Sequence, residues 1–227
     1  MRRLLMPLCA LALMLCTGFI SLDPGLPEGE MILVNKNHPL AKDYVPDDLV
    51  EAEIPFASGT PDERKKMARE AAQALEALFA AAQEDGITLY GVSGYRSYAT
   101  QRRIYNRRLE ETSQSYVDMY IARPGESEHQ TGLAMDISDS DSRALTEDFA
   151  DTDAYRWLLK KAAGYGFIIR YTKGGEEETG YGFEPWHIRY VGKAAESVAE
   201  SGQPYEVWLE KRQILFYARE RLPLTMR

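Results

Sequence analysis

The chain has 227 residues, 44% of them apolar and 27% charged, with a formal net charge of −8. That length suits one full-sized core or two small domains, and the mixture excludes a disordered or fibrous chain. The acidic balance, with no basic block and no basic-aromatic stripe, excludes nucleic acid as an expected partner.

Arg2 and Arg3 precede an apolar run over residues 4–22, and the polar, turn-rich "DPGLPEGE" follows. The pattern is that of an export segment, cleaved or kept as a membrane anchor, since a spanning helix needs roughly 20 apolar residues and a signal core fewer. Lipid attachment at Cys16 is disfavoured by the bulky Leu15 before it. Both cysteines, Cys9 and Cys16, lie in this run, so the exported remainder forms neither a disulfide nor a thiolate metal site. Without Arg2 and Arg3 it carries 25 basic against 35 acidic residues.

Residues 23–58 mix short apolar runs with Pro39, Pro46 and Pro55, which predicts an extended arm across a core. From Thr60 the sequence predicts an amphipathic helix, with Pro61 in its first turn, apolar positions at Met67, Ala71, Leu75, Leu78 and Phe79, and closure near Gly86. "ITLYGVSGYRS" reads as a strand ending in a glycine turn, and "YATQRRIYNRRLEETSQSYVDMYIA" as a second helix. "RPGESEHQTG" is then a loop and "LAMDIS" a short buried strand. Residues 142–166 supply a third helical region, "FIIRY" a strand, "TKGGEEETGYG" a polar loop, "FEPWHIRYVG" a strand, and two helices close the chain. Helices and strands alternate without repeats, which predicts a single α+β domain over residues 59–227.

The rare residues fall at the junctions of these elements, where function concentrates. His129 and Asp136 flank a tight loop entering a strand, and Glu184 and His187 sit in "EPWH" at the mouth of another. Two imidazoles and one carboxylate make a three-ligand zinc site with a position open for water, and Glu184 then stands as the base that moves the water's proton. Each residue also has a plainer reading: a histidine beside a strand is usually a hydrogen-bonded structural residue. On a regular strand Glu184 and His187 point to opposite faces, so the reading requires a bulge or bend near Pro185. Arg96, leaving a strand end after Gly94, could pair with a carboxylate or polarise a carbonyl, or be a surface ion pair. Tyr95, Tyr98 and Trp186 could line a pocket or simply fill core.

Other candidates are weaker. The carboxylate-rich stretch from Asp139 lacks the glycine and the acidic residue that a calcium-binding loop requires at its sixth and twelfth positions. His38 has no acidic or histidine neighbour and reads as structural or exposed. The acidic residues 176–178 read as a solvated loop whose place before "EPWH" would suit a lid.

In this order and spacing, "SGYRSYATQ", "SEHQTGLAMD" and "FEPWHIRYVG" resemble the VanY-like D-alanyl-D-alanine carboxypeptidases, zinc peptidases of bacterial cell-wall metabolism. The resemblance runs from about Leu33 to about Gly192. It implies His129, Asp136 and His187 as ligands of one Zn2+ per chain and Glu184 as the base. It further implies that Arg96, Gln101 and Ser127 contact the substrate, that Trp186 shapes the pocket, and that an antiparallel sheet is flanked by helices as in hedgehog-type domains. Phe183 stands where many relatives have tyrosine, which removes any role for that hydroxyl. The implied partner is a peptidoglycan stem peptide ending in D-alanine, met outside the cytoplasm, with possible membrane anchoring through residues 4–22. The same zinc chemistry would also serve an L,D-carboxypeptidase, a dipeptidase or an endopeptidase. A zinc-stabilised domain that binds wall peptides without cutting them is the rival from another class.

Overall fold

The computed structural model describes residues 29–220; the apolar run over residues 4–22 lies outside them. Among the described residues no helix is long and apolar enough to cross a membrane. The centre of the molecule is a four-stranded antiparallel sheet in the order β3-β4-β6-β5, made of Tyr90–Ser93 (β3), Ala134–Ser138 (β4), Glu184–Tyr190 (β6) and Phe167–Tyr171 (β5). A separate two-stranded ribbon joins Leu49–Glu51 (β1) to Lys66–Ala68 (β2).

Strand periodicity of two sorts the central strands into a core face and a functional face. On the core face, Met135, Ile137, Ile188, Tyr190 and Phe167 pack into one cluster with Leu75, Leu78 and Phe79 of α1 (Arg69–Glu84) and Trp157 and Leu158 of α4 (Asp153–Lys161). Their neighbours Asp136, His187, Arg189 and Arg170 therefore fall on the opposite face. A second cluster, with Val198 of α6 (Ala195–Ser201) and Tyr205, Trp208 and Leu209 of α7 (Tyr205–Glu220), covers Ile168 there. Residues 29–58 form no α-helix, and Pro55–Ala57 lie alongside β3, where Phe56 bridges to Gly91. A Cβ on Gly91 would lie 2.7 Å from the Phe56 ring, so this crossing needs glycine.

Three elements differ from the sequence reading. The helix expected from Thr60 starts at Arg69, after a 3-10 turn over Asp62–Lys65 and the strand β2. The backbone before Arg69 is engaged elsewhere: Arg64 O accepts from Gly94 N at 2.6 Å, Lys66 O from Tyr95 N at 2.8 Å, and Ala68 N donates to Gly132 O at 2.9 Å. These non-local bonds outweigh a propensity that acts only locally. The second helix is two, α2 (Tyr98–Glu111) and α3 (Gln114–Tyr120), because Thr112 is extended and the Ser113 hydroxyl caps Tyr116 N. The polar loop before "EPWH" contains a one-turn helix, α5 (Glu176–Thr179).

Candidate metal centre

Asp136 and His187 are direct cross-strand partners in β4 and β6, which places both side chains on one face about the width of one strand pair apart. His129 reaches them from the 3-10 turn Glu128–Thr131 that leads into β4. That turn closes on Gly132 at φ +69°, where a Cβ would meet Ala68 N at 2.8 Å. Both the left-handed backbone and the close approach demand glycine, which explains why it separates His129 from Asp136.

The outer nitrogen of each imidazole is occupied. His129 Nδ1 donates to Gly94 O at 2.8 Å, and His187 Nε2 donates to Glu128 Oε2 at 3.3 Å. Their other nitrogens converge on Asp136, with His129 Nε2 3.3 Å from Oδ2 and His187 Nδ1 3.2 Å from Oδ1. One ligand atom from each of the three lies within 4.8 Å of the others, and all three residues are buried. His129 Nε2 and a carboxylate oxygen are both acceptors, so they do not sit this close without a shared cation or proton. The two imidazole nitrogens approach different oxygens of the Asp136 carboxylate, and one ligand atom from each of the three residues lies within the spacing that a single small cation can bridge. The donor set therefore fits zinc, and the carbonyl and carboxylate behind the imidazoles orient them as outer-shell partners of zinc ligands do.

Charge within the group is divided unequally. Burial, and then the Arg96 guanidinium, push the His129 imidazole down to about 4. Burial works against a charged His187 as well, but Asp136 and Glu128 on its two sides lift it to about 9. Asp136 stays well below the usual carboxylate range because His129 and His187 outweigh its burial. Metal binding must release the proton His187 holds.

Glu184 stands beside this group with Oε2 3.7 Å from His187 Nδ1. The irregularity required near Pro185 is present: Ile188 pairs with Ile169 and Glu184 with Tyr171, so two steps along β5 match four along β6. Burial pushes the Glu184 carboxyl to about 7, with His187 acting against the shift and Asp136 adding to it. Arg96 lies across from it, with Nη2 3.5 Å from Asp136 Oδ2 and Nη1 donating to Gln101 Oε1 at 3.0 Å. Gln101 Nε2 in turn donates to Ala122 O at 2.7 Å, so its amide is a brace for Arg96. Ser127 and Trp186 line the same cleft, of about 730 Å³, that holds the metal group. Tyr95 and Tyr98 do not line it, and Phe183 packs on Tyr155 instead, where a hydroxyl would have no part in the site.

The family model for VanY, D-alanyl-D-alanine carboxypeptidase, matches residues 64–193. The chain belongs to the VanY family. Among curated relatives, it is 40% identical over 164 residues to the bifunctional D-Ala-D-Ala dipeptidase and D-Ala-D-Ala carboxypeptidase VanXYC of Enterococcus gallinarum, covering 70% of this chain and 82% of that one. Among solved structures, the LdcB LD-carboxypeptidase superposes with a TM-score of 0.74 at 43% identity, covering 79% of this chain and 85% of that one. A mutant of the vancomycin-resistance D,D-pentapeptidase VanY in complex with Zn(II) superposes at 0.62 and 31% identity, covering 79% and 98%. The fold is thus that of the VanY-type zinc peptidases.

The sequence reading missed one part of this VanY-type site. Glu128, 1% exposed, accepts at Oε1 from Arg170 Nε at 2.7 Å and from Arg189 Nη1 at 2.8 Å, while Oε2 takes His187. Burial opposes ionisation of Glu128, yet Arg170 and Arg189 hold it well below the usual carboxylate range. Arg170 is paired a second time with Glu206 of α7, and Arg189 donates to Ile32 O at 2.6 Å and Glu30 O at 3.1 Å. The signal was an arginine inside each of two apolar strands, "FIIRY" and "HIRY".

Proposed function

We propose that this protein is an exported zinc carboxypeptidase that releases the terminal D-alanine of peptidoglycan stem peptides. One observation carries the reading: one ligand atom from each of His129, Asp136 and His187 converges in a cleft, with the buried Glu184 carboxyl beside them. His129 Nε2, an Asp136 oxygen and His187 Nδ1 would hold one zinc ion. When bound, zinc supplies Lewis acidity that makes a water molecule a nucleophile near neutral pH.

The chain's own residues perform the remaining steps. Glu184 Oε2 accepts the proton of the attacking water and delivers it to the leaving amine, a task suited to a carboxyl pushed to about 7. Arg96 Nε, which has no acceptor, polarises the scissile carbonyl and steadies the negative charge that develops on it. Gln101 keeps the guanidinium aimed. Export rests on the basic-then-apolar segment that opens the sequence.

A second reading has support of its own: the LdcB likeness favours an L,D bond as the one cut. Two peptides decide between them, a stem peptide ending in D-Ala-D-Ala and one shorter by that last residue, in which an L,D bond precedes the D-alanine. Mass spectrometry of the products should show D-alanine released from the longer peptide, and none after chelation. Release from the shorter peptide alone would establish the L,D reading, and turnover undiminished by chelation would refute the zinc mechanism.

A further inference from the structure

One flank of the cleft is assembled from two segments distant in sequence. Tyr116, Tyr120 and Ile121 line it from the end of α3, and Tyr181 lines it from the stretch between α5 and β6. Among the described residues neither Asp118 O, in the last turn of α3, nor Gly180 O, just past α5, accepts a backbone N–H. Carbonyls orphaned at helix ends are commonly met by capping groups. Here one side chain from the N-terminal arm meets both: Lys36 Nζ donates to Asp118 O at 2.6 Å and to Gly180 O at 2.5 Å. Its ammonium also lies 4.8 Å from the centre of the Tyr181 ring.

The lysine is itself held in place. Asn35, 4% exposed, accepts at Oδ1 from Asn37 N at 2.9 Å and His38 N at 3.1 Å, and its Nδ2 donates to Glu206 at 3.1 Å, which fixes the turn presenting Lys36. The Asp118 carboxylate is engaged by Arg123 and Tyr105, so its carbonyl is left to the arm. Among the described residues the direct hydrogen bond between the two flank segments is that from Gly182 N to Met119 O at 3.1 Å. Without the ammonium, water would satisfy each carbonyl separately and the segments would keep that single bond.

The place of this flank indicates what it meets. An exopeptidase substrate has one residue beyond the bond that is cut, and its body stays attached to the polymer outside, so the body must leave through the open side of the cleft. Tyr116, 51% exposed, puts the flank at that opening. We propose that Lys36 is a positioning residue for substrate recognition: it joins the end of α3 to the Gly180–Tyr181 stretch and so holds Tyr116, Tyr120 and Tyr181 where they bind the peptide body on the amino side of the scissile bond. The proposal rests on the carboxypeptidase reading and adds the residue that sets a preference for long peptides over short ones.

The test compares the stem peptide that the zinc-loaded wild type turns over with the acetylated dipeptide of its last two residues. In K36M, which keeps an unbranched stem and removes the donors, KM for the long peptide should rise about five- to tenfold with kcat within about twofold, while kcat/KM for the short peptide stays at its wild-type value. K36R, which retains donors for both carbonyls, should restore most of the loss. K42M, at an exposed lysine of the same arm, should behave as wild type. Should K36M not fold, K36Q replaces it. A wild-type KM for the long peptide in the lysine-free variant overturns the proposal, as does an equal loss on both peptides. Hydrogen exchange reads the junction without turnover: the Gly182 amide should exchange about threefold faster or more in K36M, and unchanged exchange overturns the proposal. Wild-type protein that cuts neither peptide refutes the carboxypeptidase reading; calorimetric binding of the long peptide then decides the role of Lys36, weakened binding in K36M upholding it and equal binding refuting it.

Discussion

Replacing Glu128 by glutamine keeps the shape of the side chain but removes its charge and turns one of its two acceptor oxygens into a donor amide. Three contacts respond, those to Arg170 Nε at 2.7 Å, Arg189 Nη1 at 2.8 Å and His187 Nε2 at 3.3 Å. Removing one partner of a buried ion pair costs about 3–5 kcal/mol, and a hydrogen bond to a charged group is worth about 1.5–3 kcal/mol. Arg170 keeps Glu206, and Arg189 keeps the carbonyls of Glu30, Ile32 and Tyr190, so neither cation is left bare. The cost should therefore be about 2–5 kcal/mol, a fall of roughly 5–15 °C in the melting temperature of the metal-free protein for a chain of this size.

Glu128 is ionised more readily in the folded protein than in the unfolded chain. Its stabilisation is then fully present above the unfolded carboxylate value, about 4.3, and is lost as pH falls toward the folded one. The difference between E128Q and wild type should stay level from about pH 6 to 8 and shrink below about pH 4. Because Glu128 orients His187, zinc affinity measured against a competing chelator should also drop about 10- to 100-fold. E206Q is the control: Glu206 touches Arg170 and Asn35 but no metal-facing residue, so it should lower the melting temperature and leave zinc affinity unchanged. An E128Q protein that melts with wild type and binds zinc as tightly would refute the coupling of this ion-pair network to the site.

Glu184→Gln should retain one zinc per chain by elemental analysis while turnover falls about 10²- to 10⁴-fold, because the proton carrier is gone and the ligands are intact. Gln101→Ala removes the brace on Arg96 Nη1, so kcat should fall about tenfold with zinc content unchanged. Leu78→Ala, at a fully buried position of α1, should cost about 2–5 kcal/mol in thermal or urea unfolding without altering KM.

The residues nearest the chemistry were legible because they are rare types placed at junctions. His129, Asp136, Glu184 and His187 interrupt apolar or turn sequences, and the structure brings all four together in one cleft. The α+β class was legible from the alternation of periods, as was the buried face of α1 at Ala71, Leu75, Leu78 and Phe79. Residues 62–68 were not, since their backbone is bound by Gly94, Tyr95 and Gly132, partners that no local pattern announces. Glu128 shows the same limit. An arginine in "FIIRY" looks like the solvent-facing position of an alternating strand, and only the arrival of a carboxylate 42 residues earlier in the chain makes it a buried one. The break at Thr112 and Ser113 was readable in principle, because serine is a preferred first cap of a new helix.

The central claim is that three side chains from β4, β6 and the turn before β4 share one ion. Anomalous diffraction at the zinc absorption edge from crystals of zinc-loaded protein tests it most directly. The account predicts a single peak per chain, about 2.0–2.2 Å from His129 Nε2, an Asp136 oxygen and His187 Nδ1, with the remaining position open toward Glu184. A peak bound elsewhere on the chain, or stoichiometric zinc that leaves those three atoms unliganded, would contradict it.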